Sequence, residues 1–166
     1  MSQFFPFIFV LLWSSAFITT LPIVLNSDPF SALAFRFFFV AVCFFIYSIV
    51  KKIKIKVNFS NLFNSFSTGI LFHGFYLGGV FYAIFVGLPT SIVALIVSLQ
   101  PILTNILAGY FLNEEVNIYQ WIGVVLGFTG AVMVIGFDIG STLPMKGLIA
   151  AVIALIAITT STIWQK

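Results

Sequence analysis

The sequence predicts an all-α integral membrane protein with about six transmembrane helices. Of its 166 residues, 61% are hydrophobic and 7% are charged, and the mean hydropathy is +1.21. A water-soluble domain of this size would expose large apolar patches with such a composition. Apolar stretches of about 20 residues recur along the chain, and each is long enough to cross a hydrocarbon core of roughly 30 Å. These stretches are continuously apolar rather than alternating, which favours helices over a β-barrel.

The positions of the spans follow from these apolar stretches and the polar connections between them. The first stretch has no Lys or Arg in its first residues and is longer than the apolar part of a usual signal peptide, so we interpret it as a retained helix. Asp28 before Pro29, and Asn117 with Gln120, are typical of helix N-termini. We expect helices at about 5–25, 31–50, 66–86, 91–112, 118–137 and 146–164.

The lysines indicate the orientation of the chain. Four of the seven basic residues, Lys51, Lys52, Lys54 and Lys56, lie in the single connection 51–60. Because cytoplasmic connections carry an excess of Lys and Arg, we expect this connection and the N-terminus in the cytoplasm. The basic residues do not form a nucleic-acid-binding face. We therefore expect a multi-pass protein of the cell (inner) membrane that contacts the lipid bilayer and binds no nucleic acid.

The sequence offers little for catalysis or metal binding. It has one histidine and one cysteine, Cys43, and the cysteine lies inside the second apolar stretch. It lacks paired histidine or cysteine ligands, a glycine-rich phosphate loop and a pair of intramembrane carboxylates. We expect no enzyme activity, no metal site and no cofactor.

Polar residues within the spans are the candidates for function, because in lipid they are costly unless they face the bundle or water. Arg36 either extends to water or Asp28, or forms a fixed positive charge that attracts carboxylate-bearing solutes. His73, with Tyr76 on the same face, either couples proton movement to transport or forms a hydrogen bond to a neighbouring helix. Both interpretations stay open for each residue.

The densest polar cluster comprises Gln100, Pro101, Thr104 and Asn105 in the fourth span. Pro101 cannot donate to the carbonyl of Val97, so we expect a bend there, with Gln100 and Thr104 on one face. The cluster is either a solute site or a polar packing contact.

Structural or gating roles are predicted for a second set of residues. Pro22 frees the carbonyl of Ile18 in the first helix. Glu114, with Glu115, lies at the cytoplasmic end of the fourth helix, where it either holds the following turn or acts as a gate. Gly74 with Gly78, and Gly123 with Gly127, form strips that favour close helix packing or sliding.

Two stretches resemble the EamA family of the drug/metabolite transporter superfamily. "LLWSSAF", then Pro22 and "DPFSALAFRF", resembles its first two helices, and "ALIVSLQPILTNILAGYFLNEEVNIYQWIGVVLGFTGAVMVIG", 94–136, resembles its fourth and fifth. The resemblance implies a five-helix repeat over 1–140, and the start of a second, inverted repeat over 141–166. It also implies an exporter or importer of small metabolites, amino acids among them.

Departures from the family pattern are also present. Ser14 follows Trp13 where glycine is common in the family, and Ile158 lies where tryptophan is usual. Because a single repeat cannot supply its own inverted partner, we expect an incomplete chain or a split gene, completed by the second repeat or by a homo-oligomer.

The leading hypothesis is therefore a secondary active transporter that works by alternating access. The alternative is a non-transporting membrane subunit or an inactive fragment, in which the polar residues only pack helices. A small multidrug exporter is a further possibility, but residues 5–25 lack the acidic residue typical of its first helix. The solute-binding candidates are Trp13, Ser14, Arg36, His73, Tyr76, Gln100, Pro101 and Thr104.

Overall fold

The computed structural model describes residues 4–53, 58–112, 117–135 and 143–165. These residues form helices and contain no strand, which confirms the predicted all-α class. The helices are, in chain order, α1 (Phe5–Asn26), α2 (Pro29–Val50), α3 (Phe59–Gly69), a π-helical segment (Ile70–Leu77), α4 (Gly78–Phe85), α5 (Thr90–Val97), α6 (Gln100–Leu112), α7 (Ile118–Ile135) and α8 (Met145–Trp164).

Five helical stretches in the described ranges are long and apolar enough to cross a membrane. The first, second and sixth predicted spans are α1, α2 and α8. The third span is continuous over Phe59–Phe85, and the fourth lies over Thr90–Leu107. The fifth predicted span is α7, whose apolar part, Ile118–Gly130, is shorter.

The predicted helix caps are confirmed. The Asp28 carboxylate accepts a hydrogen bond from the Ser31 amide at 2.8 Å, with Pro29 at the first position of α2. At α7, the Asn117 side chain accepts from the Tyr119 amide at 3.0 Å, and the Gln120 side chain accepts from the Asn117 amide at 3.0 Å. These reciprocal bonds satisfy amides that a helix N-terminus otherwise leaves without partners.

The third span begins seven residues before the predicted position 66, because α3 starts at Phe59. Asn58 caps this helix by accepting from the Ser60 amide at 3.4 Å. Hydrophobic residues at 59, 62, 63 and 66 give α3 an apolar face, whereas the rest of the helix is polar. The helix therefore extends N-terminally past the continuously apolar stretch from which the span was predicted.

The fourth span leaves regular α-helix at the point where a bend was predicted. Regular helix stops at Val97, a turn follows at 98–99, and α6 starts at Gln100 with Pro101 in its first turn. Proline is well tolerated there because the first amides of a helix have no intrahelical acceptor. The predicted bend thus becomes a break located just before Pro101.

The core lies where α8 packs against α4 and the π-helical segment. Small side chains of α8, including Ala151 and Ala154, are fully buried there. A Cβ atom at Gly79 would lie 2.8 Å from the Ala150 carbonyl oxygen, and one at Gly147 would lie 2.9 Å from Leu88 Cβ. The helix backbones therefore approach each other as closely as small residues allow.

The predicted glycine strips do not supply these close contacts. A Cβ at Gly74 would meet only Ile70 of the same span, and one at Gly78 would meet the Phe30 ring at 3.7 Å. No described atom lies within 4 Å of a Cβ placed at Gly123 or Gly127. The close approach depends instead on Gly79 and Gly147, which were not singled out because they lack a glycine four residues away.

The turn after α4 positions the start of α8. Gly87 has a φ of +93°, and the Leu88 amide donates to the Ala83 carbonyl while the Gly87 amide donates to the Ile84 carbonyl, both at 3.0 Å. This pair of bonds is a Schellman C-cap, which requires a left-handed residue and so favours glycine. Leu88, which is 1% exposed, is thereby directed against Gly147.

Candidate functional site

Two of the cavities between the described helices contain most of the sequence-predicted solute-binding residues. Cavity 1, of about 910 Å³, lies between α1, α2 and the third span. Cavity 2, of about 1050 Å³, lies between α1, the interrupted fourth span, α7 and α8. The sequence-predicted residues divide between them: Arg36, His73 and Tyr76 line cavity 1, Gln100, Pro101, Gly123 and Gly127 line cavity 2, and Trp13 lines both.

Arg36 brings a permanent positive charge to cavity 1. It is exposed to the cavity and lies close enough to His73 and Tyr76 for electrostatic interaction with both. The described residues provide no hydrogen-bond or ion-pair partner for its guanidinium. The structure shows no ion pair between Arg36 and Asp28, whose carboxylate accepts a hydrogen bond from the Ser31 amide.

His73 contacts aromatic rings rather than a polar partner. Its ring lies 4.8 Å from that of Phe37 on α2 and 5.2 Å from that of Phe72, both in edge-on geometry. Within the described part of the chain His73 forms no hydrogen bond, so a bond to a neighbouring helix stays a prediction. The π-helical segment directs both His73 and Tyr76 to cavity 1, as the sequence predicted for one helix face.

An aromatic wall separates the two cavities and is formed by residues that line both of them. Trp13 is at its centre, stacked on Phe9 at 5.7 Å and nearly parallel to Tyr76 at 6.4 Å. The complete wall consists of Phe9, Trp13, Phe17 and Phe72. Three of the four members come from α1, at positions four residues apart, because that spacing places side chains on one helix face.

Gln100 occupies the break in the fourth span and connects it to the sixth. Its side-chain amide donates to Thr104 Oγ1 at 3.2 Å and to Thr162 Oγ1 on α8 at 3.4 Å. The Thr162 hydroxyl in turn donates to the Ile158 carbonyl at 2.8 Å. The Gln100 side-chain oxygen accepts no hydrogen bond from the residues the structure describes, so it remains available to a solute.

Three of the predicted residues that the structure describes line neither cavity. Ser14 is exposed on α1, beside Trp13 but outside both linings, and Thr104 acts through its bond to Gln100. Pro22 lies within α1, where its carbonyl accepts from the Asn26 side chain at 2.7 Å. Glu114 lies outside the described residues.

Sequence reasoning missed the other wall residues and Thr162. In a chain with 22 phenylalanines, the residue type alone does not distinguish Phe9 and Phe17 from lipid-facing aromatics. Their spacing of four residues from Trp13, which places all three on one helix face, could have identified them. Thr162 is 62 residues from Gln100 in sequence, and only tertiary packing brings the two together.

Comparison with known proteins gives a family but no individual relative. No curated protein matches the chain, and no solved structure matches it. A sequence model of the EamA-like transporter family matches residues 2–136, most of the chain. The match includes the interrupted fourth span, the aromatic wall residues and all of the predicted site residues. The chain therefore belongs to the EamA-like transporter family, whose members are membrane transporters of the drug/metabolite type.

Proposed function

We propose that this protein moves a small organic metabolite across the cell membrane by secondary active transport with alternating access. The observation that carries the proposal is Gln100, which lies at the break in a membrane span and lines cavity 2. Backbone that leaves regular helix within a membrane is tolerated where it is buried in protein or lines a cavity. Discontinuous helices of this kind form solute sites in many transporters.

The polar groups around cavity 2 suit a neutral or weakly polar part of a solute. Its described lining includes Ser98, Gln100, Asn105, Gln120 and Thr162, and no charged side chain. Amides and hydroxyls can both donate and accept, so they bind hydrogen-bonding groups without a formal charge.

The aromatic wall supports an alternating-access mechanism. Most of α1 is exposed; Ala16 and Phe17 are half-buried, and Thr20 and Val24 are buried, so the contacts that oppose a movement of α1 involve a minority of its residues. A shift of α1 would move Phe9, Trp13 and Phe17 together and connect the cavities. In the static structure these side chains lie between them.

The proposal extends to domain organisation. The matched region ends at residue 136, and α8 follows it. We assign 1–140 to a five-helix repeat and 141–166 to the first helix of another. α8 nevertheless packs tightly against α4 and the π-helical segment. A second repeat that begins with α8 would therefore be attached directly to the core of the first repeat.

Transport is tested by reconstituting the full-length protein in proteoliposomes and measuring flux of amino acids, organic acids and cationic drugs under a proton gradient. Saturable flux of at least one class is expected. Gln100→Ala should raise KM about two- to tenfold, because a hydrogen bond contributes about 0.5–1.5 kcal/mol. Gln165→Ala removes an exposed amide at the end of α8 and should leave KM unchanged.

Absence of flux for every solute class would contradict the proposal and favour a non-transporting membrane subunit. Equal effects of the two glutamine variants would place the solute site away from the break in the fourth span.

A further inference from the structure

Cavity 1 has an unbalanced charge. Arg36 is the permanently charged group in its described lining, and that lining contains no Asp or Glu. A guanidinium presents five N–H donors and does not lose its proton in proteins. A cation in this environment is costly unless an anion or water compensates it, so the cavity favours a negatively charged occupant.

The chain does not neutralise this charge internally within the ranges the structure describes. Asp28 is the described carboxylate on the same helix, but it is eight residues from Arg36, or about 12 Å along the axis. One of its oxygens accepts a hydrogen bond from the Ser31 amide at 2.8 Å, and no ion pair joins it to Arg36. An anionic group on a solute is therefore the complementary partner for the guanidinium.

The rest of cavity 1 is apolar and aromatic. Rings from three spans line it, among them Phe37, Phe44, Phe66 and Phe72. Its volume of about 910 Å³ lies within the range of small-molecule sites, roughly 300–1,000 Å³. The hydroxyl of Thr20 is committed to the Ala16 carbonyl at 2.7 Å. The other polar side chains of the described lining include Ser65, His73 and Tyr76, none of which carries a fixed negative charge for a positively charged substituent.

We infer that cavity 1 binds an organic monocarboxylate that has an aromatic or branched apolar body and no ammonium group, an inference that rests on the proposed transport function. The carboxylate bonds to the guanidinium of Arg36, whose planar fork matches two carboxylate oxygens. The apolar body contacts the surrounding rings. An α-amino acid is disfavoured because its ammonium would lie near Arg36 with no described carboxylate to receive it.

The inference is tested with three probes that share a phenyl ring on a two-carbon chain: 3-phenylpropanoate, phenylalanine and 2-phenylethylamine. Binding to the full-length protein in lipid nanodiscs is measured by isothermal titration calorimetry near neutral pH, with empty nanodiscs subtracting partition into lipid. 3-Phenylpropanoate should bind saturably, phenylalanine at least tenfold more weakly, and 2-phenylethylamine without saturation.

Substitutions of Arg36 test whether the bound anion occupies cavity 1. Arg36→Gln should weaken 3-phenylpropanoate binding at least tenfold, and Arg36→Lys should retain part of it because the charge remains. Lys51→Gln removes an exposed positive charge outside both cavities and should have no effect. Circular dichroism and gel filtration confirm that each variant is folded.

The possible results separate this inference from the proposed function. Equal or tighter binding of phenylalanine or 2-phenylethylamine, or anion binding that Arg36→Gln leaves unchanged, overturns the inference even where flux of another solute is measured. Anion binding that depends on Arg36 supports it, and if no flux accompanies that binding, the transport proposal alone fails.

Discussion

Asp28 shows at the residue scale how one side chain sets a helix start between two membrane spans. The hydrogen bond from the Ser31 amide holds the pKa of this carboxyl below its ordinary value of 3.8. A depressed pKa in the folded state stabilises the fold above the unfolded pKa, and this contribution is lost as the pH falls through the folded pKa. The cap is therefore strongest at neutral pH.

The corresponding prediction compares the protein with Asp28→Asn, whose side-chain oxygen accepts the same bond but does not titrate. Thermal midpoints are measured in detergent from neutral pH to below 3.8. Any excess of the thermal midpoint of the unmodified protein over that of Asp28→Asn should shrink as the pH falls through that range. Other carboxyl groups titrate in both proteins and cancel in the difference, so parallel curves would contradict the assigned role of Asp28.

From the sequence, Trp13, Arg36, His73, Tyr76 and Gln100 were expected to face a cavity, because polar or amphipathic groups within lipid-spanning stretches are costly elsewhere. Each of them lines cavity 1 or cavity 2. The sequence was insufficient to assign them to two cavities. That division depends on which helix face meets which neighbour, and a chain apolar on every face carries little periodicity from which to infer it. Ser14 was grouped with Trp13 for the same reason.

At the scale of elements, each cavity is lined by one irregular span: the third span lines cavity 1, and the fourth lines cavity 2. Pro101 revealed the irregularity of the fourth span, since a missing amide is visible in sequence. The eight-residue π-helical segment Ile70–Leu77 contains no proline and gave no such signal. π-Helical turns are rare in proteins and concentrate at functional sites. This one places His73 and Tyr76 on the lining of cavity 1.

The contact between α4 and α8 gives a prediction about stability. Gly79→Ala would place a Cβ 2.8 Å from the Ala150 carbonyl oxygen and 3.0 Å from Ala154 Cβ, and the first of these is rigid backbone. Overpacking of this kind costs about 1–3 kcal/mol, which exceeds the roughly 0.5–1 kcal/mol that alanine gains over glycine within a helix. The midpoint of thermal unfolding in detergent should therefore decrease.

Gly130→Ala is the matched control on α7. No described atom lies within 4 Å of its added Cβ, so only the helical preference of alanine remains. Its midpoint should stay unchanged or rise. A decrease of equal size in both variants would mean that close packing at Gly79 does not stabilise the fold.

At the scale of the whole molecule, the helices around α8 are tightly packed, whereas α1 and α2 are largely exposed. The contact of α8 with α4 and the π-helical segment buries small residues tightly, whereas most residues of α1 and α2 are exposed, as expected for helices that face lipid. The number and order of helices could be predicted from hydropathy, because the length of a span is set by the bilayer. The central position of α8 could not, since it depends on backbone contacts between small residues distant in sequence.

Orientation across the membrane is the last prediction, and it determines the side from which Arg36 meets a solute. With the lysine connection inside, α2 runs from the outer to the cytoplasmic face, and Arg36 lies in the outer half of the bilayer. Cys43 is the single cysteine of the chain, so a Cys43→Ala background permits labelling at one introduced site. In intact cells, a membrane-impermeant maleimide should label Ser27→Cys, and should label Lys51→Cys only after permeabilisation.

The opposite labelling pattern would contradict the predicted orientation and would change the side of the membrane from which a solute reaches cavity 1. Arg36 would then lie in the cytoplasmic half, and an anion would enter cavity 1 from the cell interior. The cavity and its charge would be unaltered, because both depend on packing within the chain. Orientation therefore determines the direction in which the guanidinium assists transport, whereas the chemistry of the bound group follows from the lining alone.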